Sequence, residues 1–323
     1  MHTVTHADVK AAAERTAGTL RPVTVAPVAP AEPGAFGGAE VYWALEFLQH
    51  TGSFKARGAA NFTAAHRADG AMPEAGVVIA SGGNAGLACA WAARRHGVPA
   101  TVFVPRGAPP VKVARLRALG ARVRLEGNEY AEALDASRAY AREVGAVESH
   151  AYDHTLVAAG AGTLLPEIVA AVPDLDTVVV AVGGGGLFAG VTAAADHHGV
   201  RVVAVEPATC RALHAALEAG RVIDVPVDSV AADSLGARRA SAAALDWART
   251  ADVRSVLVAD DAIVRARHLL WDQHRLAVEH AAATALAALT TGAYRPAVGE
   301  RVAVVLCGAN TDPADLVTRG PGG

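Results

Sequence analysis

The chain has 323 residues, 52% of them hydrophobic and 19% charged, and a formal net charge of −3. That length suffices for two domains with separate cores, and the balanced charge argues against a nucleic-acid or anionic-membrane partner. Three isolated cysteines, Cys89, Cys210 and Cys307, argue against a disulfide framework or structural zinc site. With no leader-like start and no run of about 18 apolar residues, a cytoplasmic protein acting on a small molecule is expected.

In chain order, an amphipathic helix is expected over 4–16. A connector rich in Pro, Ala and Gly follows over 22–38, containing Pro22, Pro27, Pro30 and Pro33, and regular structure resumes at Val41. Short apolar runs then alternate with helical periodicity: 77–80 then 85–96, 100–104 then 112–119, 122–125 then 129–143. The rhythm restarts with strand 177–182 before a glycine run, continues with 201–206 before a helix, and closes with strand 301–306. This alternation predicts two α/β units with mostly parallel sheets and a seam near residue 150. The mixed stretch 220–250 yields no assignable elements.

Four constellations carry candidate chemistry. In TGSFKARGAAN, residues 51–61, Lys55 follows a Gly-Ser turn and enters a helix beside Phe54. Partial desolvation there would lower its amine pKa, as a Schiff-base lysine needs; the alternative is a solvated lysine at a helix start. In SGGNAG, residues 81–86, glycines between a strand and a helix let backbone N–H groups approach an anion, although Asn84 could simply cap the helix. In VGGGGLFAG, residues 182–190, four successive glycines form a phosphate cradle. No Gly-Lys-Ser/Thr follows, so it is not a Walker loop. The competing reading is a dinucleotide fingerprint through Gly184, Gly186 and Ala189, with Glu206 as the ribose acid. In VLCGANTD, residues 305–312, Cys307 ends the last strand, where a parallel sheet faces its ligand crevice; a buried packing role is the alternative. Cys210 and His214, one helical turn apart, lack a third metal ligand, and His197 and His198 are merely adjacent. No G-x-S-x-G is present, so a serine hydrolase lacks its nucleophile elbow.

Taken in order, these segments resemble the serine/threonine dehydratase branch of the fold type II pyridoxal 5′-phosphate (PLP) enzymes. The resemblance extends through SGGNAGLACAWAARRHGVPATVFVP, PPVKVARLRALGARV, AGAGTLLPEI, VVAVEP, ADSLGA, AVEHAAATALAAL and VLCGAN. It implies a tryptophan synthase β-like α/β fold of two three-layer αβα domains with mostly parallel sheets, the large one 1–61 plus 151–323 and the small one 62–150, working as a homodimer. It implies that Lys55 carries the PLP imine, Phe54 packs on the pyridine ring and Asn84 bonds the ring hydroxyl. Ser81, Gly82, Gly83 and Ala85 would hold the substrate carboxylate, and Gly183, Gly184, Gly185, Gly186 and Leu187 the phosphate. Gly236 would approach the ring through its backbone, and Cys307 would face the pyridine nitrogen. The implied reaction is β-elimination from serine, threonine or a related hydroxy amino acid to a 2-oxo acid and ammonia, with other PLP chemistry on the same fold as the alternative.

Departures from the family pattern add expectations. Racemases of this fold carry a serine at the position of Gly82, so efficient racemisation is not expected. Relatives that bind a divalent ion use an acid where this chain has Ala212, so no metal is expected at Glu206. Ala44 replaces a lysine common in relatives. The chain ends soon after the last strand, so no regulatory domain or end-product inhibition is expected.

Overall fold

A computed structural model describes residues 3–29 and 35–317. The first helix, α1 (His6–Thr16), starts where Thr5 and Asp8 cap one another's backbone amides. The expected connector contains a short strand, β1 (Val25–Pro27), which pairs antiparallel with β2 (Glu40–Ala44). Pro27 is tolerated because β1 is an edge strand; Pro30 and Pro33 lie outside the described residues. Helix α2 (Lys55–Ala68) leads to β3 (Val77–Ala80), α3 (Asn84–Arg95), β4 (Ala100–Val104), α4 (Pro110–Ala118), β5 (Arg122–Leu125), α5 (Tyr130–Val144) and β6 (Val147–Glu148). Helices α6 (Thr155–Gly162) and α7 (Leu164–Ala171) precede β7 (Thr177–Ala181), α8 (Gly186–His198), β8 (Arg201–Pro207) and α9 (Ala212–Ala219). The ambiguous stretch holds two helices, α10 (Ala232–Leu235) and α11 (Ala242–Thr250). Then come β9 (Val253–Val258), α12 (Asp260–His274), α13 (His280–Thr290), β10 (Arg301–Val305) and α14 (Ala314–Val317).

The strands form two sheets: β5-β4-β3-β6, all parallel, and β1-β2-β10-β7-β8-β9, parallel except for β1. The fold class expected from the sequence is therefore the one observed. β3 and β7, both wholly buried, are continuous apolar runs, as strands buried on both faces must be. Both end in loops that start helices, β3 into α3 and β7 into α8. Helices α8 and α13 both pack on β7 and β8, and α13 is apolar and buried from Ala281 to Leu289. No helix among the described residues is long and apolar enough to cross a membrane.

Candidate active site

Lys55 is fixed from three directions. Ahead of it, Ser53 bridges to Gly308 and the Phe54 amide donates to the Cys307 carbonyl at 3.0 Å, which hangs the segment on the end of β10. Beneath it, the fully buried Arg57 holds Glu46 at 2.7 and 3.0 Å and Glu167 at 2.7 and 2.9 Å, which locks the first turn of α2. Its own Nζ donates to the Ala151 carbonyl at 2.7 Å and sits 4.8 Å from the centre of the Phe54 ring. Burial draws the amine down from 10.5 to about 8, opposed by the nearby Cys307 and Glu279. The Cys307 thiol is itself buried and pushed up to about 12 by that burial and by Glu279, so it stays neutral.

One residue beyond Ala151, Tyr152 lies flat against the second loop. A Cβ on Gly184 would sit 2.4 Å from the Tyr152 ring, and one on Gly186 2.7 Å from its carbonyl. A Cβ on Gly185 would meet Ala244 at 2.5 Å, and one on Gly183 the Leu235 backbone at 3.0 Å. Gly185 also adopts φ +92°, which favours glycine. The amides of Gly183, Gly184, Gly185, Gly186 and Leu187 find no acceptor among the described residues, so five donors converge at the start of α8. Those of Asn84, Ala85 and Gly86 are equally free at the start of α3. There Gly83 donates to the Ser81 hydroxyl at 3.4 Å, and Gly82 and Gly83 are only half buried. Gly236 closes the far side: its segment follows α10, whose Leu235 backs onto Gly183.

The structure links Phe54 to Cys307 and Gly183 to Leu235, the residue before Gly236, and it adds several residues around Asn84 that sequence reasoning missed. The Glu279 carboxylate, 6% exposed at residue level, accepts from Asn84 Nδ2 at 2.9 and 3.1 Å, from Ser234 Oγ at 2.6 Å and from the Asn310 amide at 2.8 Å. Asn310 Nδ2 in turn donates to Asn84 Oδ1 at 2.7 Å and to the Thr51 carbonyl at 2.6 Å. From α4, Lys112 reaches Asp233 at 2.6 Å and Arg115 donates to Asn310 Oδ1, so residues on either side of the cleft are joined. The available sequence signal was a lone acid directly before the apolar helix α13, which must be buried with it.

The competing roles find no support in the geometry. Glu206 is buried and accepts from the Leu213 and His214 amides, both at 2.8 Å, which commits its two oxygens to capping α9. Cys210 Sγ donates to the Leu235 carbonyl, and His214 Nδ1 pairs with Ser255. No cluster that could hold a metal ion occurs among the described residues.

A cofactor with an anionic end, a carbonyl that condenses with an amine and a ring hydroxyl fits these residues. Free amides at α8 suit the anion, the part-buried Lys55 the carbonyl and Asn84 the hydroxyl. Thr51 Oγ1 and Ser53 Oγ, buried just before Lys55, are without partners.

Comparison with known proteins agrees. Residues 21–308 match the family model described as pyridoxal-phosphate dependent enzyme. An L-threonine ammonia-lyase of Geobacter sulfurreducens is 37% identical over 277 residues, covering 85% of this chain and 68% of the relative. A phenylserine dehydratase of Ralstonia pickettii is 38% identical over 279 residues, covering 86% and 85%. Among solved structures, maize serine racemase superposes with a TM-score of 0.90 at 28% identity, covering 98% of this chain and 96% of that one. With its part-buried lysine, its free-amide cradle and this breadth of similarity, the chain belongs to the pyridoxal-phosphate dependent enzymes and takes pyridoxal 5′-phosphate as its cofactor.

Proposed function

We propose that this enzyme eliminates the β-hydroxyl of serine, threonine or a closely related hydroxy amino acid, yielding a 2-oxo acid and ammonia. The observation that carries the reading is the part-buried Lys55 amine, 2.7 Å from the Ala151 carbonyl and so beside Tyr152, the next residue in the chain, whose ring walls the loop of free amides at the start of α8. The threonine ammonia-lyase and phenylserine dehydratase names of the relatives support it.

The chain's own residues divide the work. The free amides at α3, with Ser81, Gly82, Gly83 and Ala85 around them, bind the substrate carboxylate, and those of 183–187 bind the cofactor phosphate. Bound PLP supplies the sink for negative charge developing at the substrate Cα. Lys55 removes the Cα proton: at about 8, roughly a tenth of its amine is neutral at pH 7, against under a thousandth for an ordinary lysine. Phe54 would pack on the pyridine ring of the bound cofactor, and Gly236 would approach it through its backbone. Cys307, a neutral thiol, would place no charge at the ring nitrogen it is assigned to face, which would favour prompt loss of the β-hydroxyl over transamination. Gly82 supplies no acid or base to the opposite face of Cα, so elimination is the outcome rather than racemisation.

The same reading treats 62–150 as a small domain closing on the rest, and the enzyme as a cytoplasmic homodimer, on the strength of the family resemblance. The test is the 2-oxo acid released from serine, threonine and 3-hydroxyaspartate by protein showing an imine band near the violet edge of the visible. Lys55→Ala should remove the band and lower turnover on the order of 10⁴-fold or more. A colourless wild-type protein, or a variant that keeps both properties, would sink the assignment.

A further inference from the structure

The amide of Asn84 is the one cofactor-facing group whose two ends look alike in shape and opposite in chemistry. Its NH₂ end donates to an oxygen, whereas its C=O end repels one. Either end could face the cleft by a half-turn of the side chain, and the surrounding groups remove that freedom. Glu279 presents an acceptor-only carboxylate to Nδ2, with both oxygens in reach of the one nitrogen at 2.9 and 3.1 Å. A single N–H shared between those oxygens leaves the second N–H of Asn84 unused. On the other side, Asn310 Nδ2 donates to Asn84 Oδ1.

Asn310 could itself be turned the wrong way, but two unambiguous groups set it. The Thr51 carbonyl can only accept, and it takes the Asn310 NH₂; Arg115 can only donate, and it gives to the Asn310 oxygen. A flip of Asn84 would therefore oppose two oxygens at Glu279 and two NH₂ groups at Asn310. Ser234 Oγ and the Asn310 backbone amide hold the Glu279 carboxylate in turn, and a Cβ on Gly308 would lie only 3.0 Å from it.

We propose that Glu279, with Asn310 beside it, is a positioning residue that fixes the Asn84 amide with an N–H directed at the cofactor ring oxygen. This rests on the assignment of Asn84 to that oxygen. Because Arg115 comes from α4, the chain Arg115–Asn310–Asn84–Glu279 also ties the direction of that N–H to the placement of the four-stranded-sheet region.

The test uses holoenzyme variants. Glu279→Gln keeps size but offers Asn84 a donor as well as an acceptor, so the amide is free to turn. Two readouts are expected at fixed pH: a displaced visible absorbance band, and a PLP dissociation constant raised roughly ten- to a hundredfold, the worth of one hydrogen bond to a charged group. Asn84→Ala should displace the band in the same way, and the double variant should add little to either single one, since both act on one N–H. Glu279→Asp, which keeps an acceptor-only carboxylate, should restore most of the band. A Glu279→Gln enzyme with an unchanged band, or additive effects in the double variant, would overturn the proposal while leaving the Lys55 assignment standing. Failure of that assignment would instead show as no band in the wild type. If Glu279→Gln lowers the yield of folded protein, Ser234→Ala, which loosens Glu279 without touching Asn84, should give a smaller displacement in the same direction.

Discussion

Two loops of this molecule start helices with free amides, and they use glycine for different reasons. Residues 183–186, between β7 and α8, are walled in: each missing Cβ would strike Leu235, Tyr152 or Ala244. Residues 81–83, between β3 and α3, are open. A Cβ on Gly83 would meet nothing within 4 Å, and one on Gly82 only the Val104 side chain at 3.2 Å. The conformational cost of four glycines pointed to a phosphate cradle, but the structure adds that Tyr152 and Ala244 have taken the space where side chains would be. Residues 183–186 leave no room for side chains, whereas Gly82 and Gly83 leave space beside the start of α3, as a held cofactor and an exchanging substrate would require under the proposed function.

The comparison breaks most visibly at Gly184. Gly184→Ala places a methyl 2.4 Å from the Tyr152 ring, and overpacking of this kind costs about 3 kcal/mol or somewhat less. Because Tyr152 adjoins the Ala151 carbonyl that receives Lys55, the shift should also weaken PLP binding, by about a hundredfold. Thermal unfolding and equilibrium dialysis against PLP check the two effects. A variant that melts and binds like the wild type would mean the loop is as open as the other.

Lys55 gives the next largest effect. Holding a part-buried amine at about 8 instead of 10.5 costs the cofactor-free protein up to about 3 kcal/mol at neutral pH. The native state binds fewer protons than the unfolded state between those pH values, so stability rises with pH across that window and the cost is fully present below it. Lys55→Met removes the cost but leaves the Ala151 carbonyl unpaired, worth about 1 kcal/mol. The cofactor-free variant should therefore be about 2 kcal/mol more stable at pH 7 by denaturant titration, with the advantage fading toward pH 10.5. Equal stability at pH 7 would mean that the amine is not desolvated in solution.

How much of this was legible beforehand follows from the range of each interaction. The strands Val77–Ala80 and Ala100–Val104 stand where apolar runs placed them, because a buried parallel strand marks itself in its own residues; Arg122–Leu125, a largely exposed edge strand, shows only Val123 and Leu125 alternating with arginines. β1 was missed because three residues with a proline become a strand only through pairing with β2, and β9 because Arg254 and Ser255 interrupt its apolar run. The site divides in the same way. The two glycine-bearing loops stood out because close backbone approach favours glycine, whereas Lys55, whose spacing alone also fits a solvated helix start, stood out only through the family resemblance. Tyr152, Glu279 and Asn310 were not: Asn310 meets Asn84 across 226 positions of chain, and no local pattern records such a contact.

Gly82 tests the open loop at its tightest point. Gly82→Ser requires Val104 to give by a few tenths of an ångström, at about 1 kcal/mol. It also places a hydroxyl on the face of Cα that now lacks an acid or base. Chiral analysis of the serine remaining after incubation should show the D-enantiomer forming on the order of tenfold faster than with the wild type. Lost stability with no D-serine would mean that Gly82, like the glycines at α8, is there for packing.

The smallest effect on the fold, and the sharpest contrast with Gly184, belongs to Gly83. With φ −105° at the N-cap of α3 and open space beyond, alanine meets neither strain nor a wall. Restricting the unfolded chain favours the variant by about 0.4–1 kcal/mol, and glycine is the better N-cap by a similar amount, so the two nearly cancel. The substrate carboxylate has no such compensation: a methyl in its path should raise KM about tenfold, the equivalent of about 1.4 kcal/mol, with kcat little changed. The same small methyl group would then cost stability at one loop and substrate affinity at the other. A drop in melting temperature matching that of Gly184→Ala would show that residues 81–83 are packed as tightly as 183–186.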